Sequence, residues 1–270
     1  MKLPARTSLN QAHPHPRSTQ WLRLAQLTLT SVAVLVAGCG GGGGGSDATA
    51  TPPGVAVISG TVAVGAAIEG AKVQITDTTG ENACTNAVGT PASVTTDVNG
   101  QFLCHLLDGA NAPYALLALD PSASYTPMVS LQSIRPAPGQ PITVNITPLT
   151  SVVAAMLAPQ QDAMALIPHA GDSTATRTQR AQHLSAAAQS LAGQTLTLVA
   201  QMAPALQALG LNSATYSPFS TPIVAANSQG GAGNAADRLL ELVRVEHGHG
   251  APLLATTFST SIPAALAGAS

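Results

Sequence analysis

Charge is what this chain has least of: only 8% of its 270 residues are Asp, Glu, Lys or Arg, ten basic against twelve acidic. A nucleic-acid binder needs a basic stripe, and ten scattered cations with a net charge of −2 do not supply one. Aromatics stand at 3%, with one Trp, so ring platforms for stacking bases or sugars are almost absent. No apolar run reaches the roughly 20 residues that a bilayer-spanning helix needs. No Gly-x-Ser-x-Gly, Ser-x-x-Lys or Cys-x-x-Cys occurs, and the His residues fall in no nucleophile-base motif. The sequence therefore offers no catalytic residues and implies no cofactor. What it has instead is Gly (25), Pro (20) and a large apolar fraction of 45%, enough for a sizeable core with many turns.

The first 38 residues read as a secretory signal peptide. Lys2, Arg6, Arg17 and Arg23 lie in an acid-free stretch, and Leu24 to Val36 is apolar but short. Leu35-Val-Ala-Gly-Cys39 resembles the bacterial lipobox, which implies that Cys39 is lipidated and becomes the new N-terminus. Gly40 to Gly45 follow, a run that cannot form a packed element and makes a flexible tether through residue 54. The lipoprotein resemblance also implies outer-membrane placement, since no Asp follows Cys39. Partners on this reading are the bilayer, through acylated Cys39, and an envelope protein. The 232 residues left after cleavage carry 6 basic and 12 acidic side chains and no Trp.

Residues 55–146 show strand and turn patterns. Val55–Val64, Ala71–Thr76, Ser93–Thr96, Gln101–Leu106, Pro113–Leu119, Thr126–Leu131 and Pro141–Ile146 are seven strand candidates. Asn99-Gly100 predicts a hairpin between the third and fourth of these. Such spacing predicts an antiparallel sandwich. Ser59-Gly-Thr-Val62, Gly70-Ala-Lys-Val73 and Thr96-Asp-Val-Asn-Gly-Gln-Phe102 resemble the carboxypeptidase-regulatory-like, transthyretin-like module of bacterial surface proteins. That resemblance implies an accessory domain without catalytic residues. Cys84 and Cys104 are the only thiols left once Cys39 is acylated, and an oxidising compartment predicts that they pair.

Residues 147–270 predict an Ala-rich helical domain. Thr147-Pro148 opens a helix whose Leu149, Val152, Val153, Met156 and Leu157 share one face. Gln160–Ile167 is a second short candidate. A seam from Arg180 to Leu209 is a third, with Pro204 expected to kink or break it. Asn234 caps a helix over 235–243, and Val243 to Phe258 reads as a terminal β-hairpin. The fold class expected is α+β, an N-terminal antiparallel sandwich of about seven strands followed by helices and a terminal hairpin.

Two functional classes remain open. One is a non-catalytic, membrane-tethered envelope lipoprotein acting as a binding or structural module, with recognition placed in the loop 216–233, where Phe219 and Ile223 look exposed. The other is an envelope enzyme or metal-binding protein using Glu246, His247 and His249, because His-x-His on one strand face aims two imidazoles the same way. With no evident third ligand, no metal is assigned.

Overall fold

The computed structural model describes residues 54–85 and 89–242, with the backbone of 247–248 and 251–252. Cys39, its glycine tether, Glu246 and His249 lie outside the described residues.

Eight short strands come first: β1 (Val57–Thr61), β2 (Lys72–Thr76), β3 (Cys84–Thr85), β4 (Val94–Thr95), β5 (Gln101–Leu106), β6 (Tyr114–Leu119), β7 (Met128–Gln132) and β8 (Ile142–Thr143). They build two four-stranded sheets, ordered β3-β5-β1-β8 and β4-β2-β6-β7. All pairings are antiparallel except β1 with β8, which is parallel. Each of the seven expected segments contains a strand. The eighth, Cys84–Thr85, falls in the connection between β2 and β4, where two residues are too few to show a period.

Between the sheets lies one core. Ile58, Phe102, Cys104 and Leu106 face Val73, Ile75, Tyr114 and Leu116 across it. The period of two in β5 is plain: Phe102, Cys104 and Leu106 are buried while Gln101 and Leu103 are exposed.

The Asn-Gly turn is tight, with Gly100 N–H donating to Asp97 O at 2.9 Å, but it joins no hairpin. β4 pairs with β2 and β5 with β1, so the turn carries the chain from one sheet to the other. Thr96 decides this. Its backbone exchanges hydrogen bonds with Gly70 and Ala71, and its hydroxyl takes the Ala71 N–H and donates to Ile68 O. Those contacts hold the segment before the turn on β2, away from β5.

A second core explains why β6 does not alternate. Tyr114 to Ala118 are all buried, because this sheet is covered on both faces. Ala115 and Leu117, with Val129 and Leu131 of β7, pack against α1 (Pro148–Leu157), α2 (Thr174–Ala208) and α3 (Ala235–Leu242). The layers are sheet, sheet, helices. The change of secondary structure near residue 146 is thus not a break in side-chain contact.

Thr147 caps α1 as the sequence predicts. Its hydroxyl accepts from Thr150 N–H while Thr150 Oγ1 accepts from Thr147 N–H, a reciprocal capping box with Pro148 at the first helical position. The same first turn covers the free edge of β7. Thr150 Oγ1 donates to Val129 O at 3.0 Å, and Val129 N–H donates to Ser151 Oγ at 2.9 Å.

Two helical expectations need correction. Residues 160–167 form two short 3₁₀ turns, Pro159–Gln161 and Ala163–Leu166, because Gln160 and Gln161 turn left-handed (φ 52° and 60°) and stop a helix from propagating. α2 begins earlier, capped by Ser173, and runs unbroken through Pro204. That proline sits on the exposed face, about one turn from the helix end, so it removes one ladder bond and little else. At the far end, backbone pairing joins His247–Gly248 to Ala251–Pro252 in antiparallel register.

Candidate functional site

Cys84 and Cys104 stand at disulfide distance, Cα–Cα 5.3 Å, both fully buried between β3 and β5. The pair ties edge strand β3 to the inner strand β5 and belongs to the scaffold. His105 points away from the core and is half-buried. His247 belongs to the two-residue pair at the C-terminal end, while His249 and Glu246 fall outside the described residues. Among the described residues no group of three or more His, Cys, Asp or Glu side chains is placed to hold a metal ion. Among them, too, no helix is long and apolar enough to cross a membrane.

The loop 216–233, expected to display Phe219 and Ile223, instead buries both and exposes Val224. Tyr216, Phe219 and Ile223 are each less than a tenth exposed and join the core beneath the helices. Burial also pushes the Tyr216 phenol well above its ordinary range. The sequence looked loop-like there because Pro218, Pro222 and several Ser and Thr residues interrupt every period, and periodicity says nothing about a segment buried without regular structure.

What fixes this segment is a polar seam on β1 and just beyond β8. Asn145, only 1% exposed, accepts the Thr61 N–H at Oδ1 (3.3 Å) and donates from Nδ2 to Thr221 O (2.8 Å). Its own N–H donates to Phe219 O, and Thr61 Oγ1 donates to Ile223 O. A buried side chain that bridges two chain segments must be an amide here, because one end has to accept and the other to donate. Further along, Asn227 Nδ2 donates to Asn99 Oδ1 at 2.7 Å, pinning the Gly-rich stretch to the Asp97–Gly100 turn. Asp97 Oδ1 meanwhile accepts the N–H groups of Asn99 and Gln101. The side chains of Asp97 and Asn99 are thus spent on the turn and on this cross-link.

Between these two anchors the outer face of the first sheet is hollowed into a groove of about 580 Å³. Its floor is a small grid set by strand register. Ser59 on β1 lies between Leu103 of β5 and Thr143 of β8. One step along the strand, Thr61 lies between Gln101 of β5 and the Asn145 amide. Pro222 and Ile223 form one wall, Thr95 and Asp97 the other. Volume of this order is ordinary for small-ligand sites. The side chains of Gln101, Thr143 and Thr95 are exposed and Leu103 is 43% exposed; among the described residues Asp97 is the one ionisable lining group. The groove combines hydroxyl and amide groups with an aliphatic wall, and no described cation lines it.

Sequence reading missed this groove. Its polar residues are the outward half of ordinary alternating strands, and only the fold brings Pro222 and Ile223 across the sheet to wall them in.

A second polar cluster closes one end of the sandwich. Tyr114 donates to Ala110 O, and Arg135 donates to Ala110 O, Leu107 O and the Tyr114 hydroxyl. Desolvation raises the Tyr114 phenol, opposed by the Arg135 hydrogen bond. Apart from the Arg135–Tyr114 bond, these contacts hold the backbone carbonyls of Leu107 and Ala110, so the cluster is a fastening.

With this geometry established, comparison with known proteins gives no identity: no protein-family model matches the chain, and no curated protein matches it.

Proposed function

We propose that this chain is a lipid-anchored, non-catalytic binding module of the bacterial cell envelope. Leu35-Val-Ala-Gly-Cys39, followed at once by six glycines, is the observation that carries the reading: a lipidation motif and a tether in the order an anchored body requires. The folded part supports it in kind. A disulfide-distance cysteine pair suits an oxidising compartment, and two cores that share one sheet make a stiff scaffold. On the same reading the sandwich is a carboxypeptidase-regulatory-like accessory module, the chain past 242 ends in a β-hairpin, and Cys39 anchors to the outer membrane with an envelope protein as partner.

One acyl chain gives only marginal membrane binding, whereas several chains, at about 0.8 kcal/mol per buried CH₂, make it lasting. Cells fed a labelled fatty acid are expected to mark the wild-type protein and leave Cys39→Ser unmarked, with the variant released to the soluble envelope fraction. Equal labelling of the two would overturn the anchor.

A further inference from the structure

We propose that the groove on the outer face of the first sheet is a binding site for a neutral polyhydroxylated ligand, an uncharged oligosaccharide. This rests on the reading of the chain as a binding module and gives that module a site and a ligand class.

Charge narrows the class first. Among the described residues no Lys, Arg or His lines the groove, so a phosphate, a nucleic acid or an acidic glycan would meet no counter-charge there, and Asp97 at the rim would repel it. A large apolar ligand fits no better, because the floor is built of Ser59, Thr61, Gln101, Thr143 and Asn145. Hydroxyl groups answer this lining. Each donates and accepts, and so do the Ser and Thr hydroxyls and the Gln101 amide.

Which groups remain available is decided by the bonds already made. Thr61 and Asn145 are committed to the 219–223 segment and build the floor, but Gln101, Thr143 and Thr95 make no side-chain hydrogen bond among the described residues. Gln101 and Thr143 stand on the strands either side of β1, about 10 Å apart across the sheet, with Thr95 on β4 of the other sheet forming the facing wall, a spread that an extended ligand can bridge. Leu103 and Pro222, both exposed, supply the apolar counterpart. A sugar ring carries hydroxyls on its edge and C–H groups on its face, and an aliphatic wall beside a hydroxyl-lined floor meets both.

The floor is also held rigid. Asn145 and Thr61 are fixed by four hydrogen bonds, to the 219–223 segment and to each other, so little order has to be imposed on binding. Without a ring platform, however, each sugar forgoes stacking, and the expected Kd is weak, about 1 mM.

Saturation-transfer NMR suits that range. The full chain, held in a zwitterionic detergent because sugar-headed detergents would compete, is titrated with neutral hexasaccharides of glucose, mannose and N-acetylglucosamine. A galacturonate hexamer and an uncharged Ser/Thr-rich hexapeptide are run beside them. At least one neutral hexasaccharide is expected to receive magnetisation. The double variant Gln101→Ala with Thr143→Ala, which touches only exposed unbonded side chains, is expected to bind it about tenfold more weakly with unchanged melting. Gln189→Ala, on the exposed face of α2, should match the wild type. Transfer to the galacturonate or the peptide alone, to nothing in the panel, or to sugars undiminished in the double variant would each overturn the proposal. Failure here with normal fatty-acid labelling of Cys39 removes the groove's ligand and leaves the anchor standing; loss of labelling with normal sugar binding does the reverse.

Discussion

Replacing Asp237 by Asn is expected to stabilise this protein at neutral pH, the opposite of the usual result for a buried polar residue. Asp237 occupies the third position of α3 and is fully buried. Oδ2 accepts the Ala226 N–H at 3.0 Å, and Oδ1 has no partner among the described residues. Two effects compete for its charge. The positive end of a helix favours a carboxylate by roughly 0.3–1 kcal/mol. Leaving a buried acceptor unpaired costs roughly 1–3 kcal/mol, and more when it is charged. Burial wins, and desolvation holds the carboxyl above its ordinary pKa of 3.8 against the Ala226 hydrogen bond. The sign follows. Asp237 is best accommodated when neutral, so its contribution is complete below the unfolded-state value and is lost as pH rises through the higher folded-state value. The amide of Asp237→Asn stays neutral throughout and can still accept from Ala226. Urea unfolding of the two proteins is expected to show the variant ahead by about 1 kcal/mol at pH 8, on the order of 2–4 °C in Tm. The curves should converge below about pH 4, where the carboxyl is protonated in both states. A variant that is less stable at pH 8, or an advantage that does not change with pH, would refute the argument.

Two further perturbations test the scaffold. Cys84→Ser with Cys104→Ser releases a cross-link between residues 20 apart and is expected to cost about 3 kcal/mol in denaturant unfolding; in the wild type, alkylation before reduction should find neither thiol free. Gly60→Ala places a Cβ 2.0 Å from the carbonyl oxygen of Val144, which forces β1 and the strand beside it apart, and a loss of at least about 2 kcal/mol is expected; a loss below about 0.5 kcal/mol would show that the strands tolerate separation.

Local rules in the sequence located most elements and little of their assembly. Thr147-Pro148 announces α1 because capping needs only neighbouring residues, and alternation in Gln101–Leu106 declares its inward face for the same reason. Register across a sheet is another matter. Asn99-Gly100 specifies a tight turn, but whether that turn closes a hairpin depends on Thr96 finding Gly70 and Ala71, about 25 residues away. Phe219 and Ile223 look exposed in the sequence because they sit among turn residues, and it is Asn145 and Thr61, more than 70 positions earlier, that hold their segment inward. The groove was illegible for that reason: its floor and its wall come from stretches with no common period. Proline position misled in the other direction, since Pro204 near a helix end removes one bond at an exposed site and leaves α2 intact.

The doubly covered strand β6 makes this fold a poor candidate for modular exchange. A sheet that faces two cores cannot lend either face to a different neighbour without stripping Leu117, Val129 and Leu131, or else Leu116 and Ala118, of their cover. Recombination that cut the gene near residue 146 would transplant a sandwich with a greasy back, prone to aggregate, and strand helices with nothing to lie on.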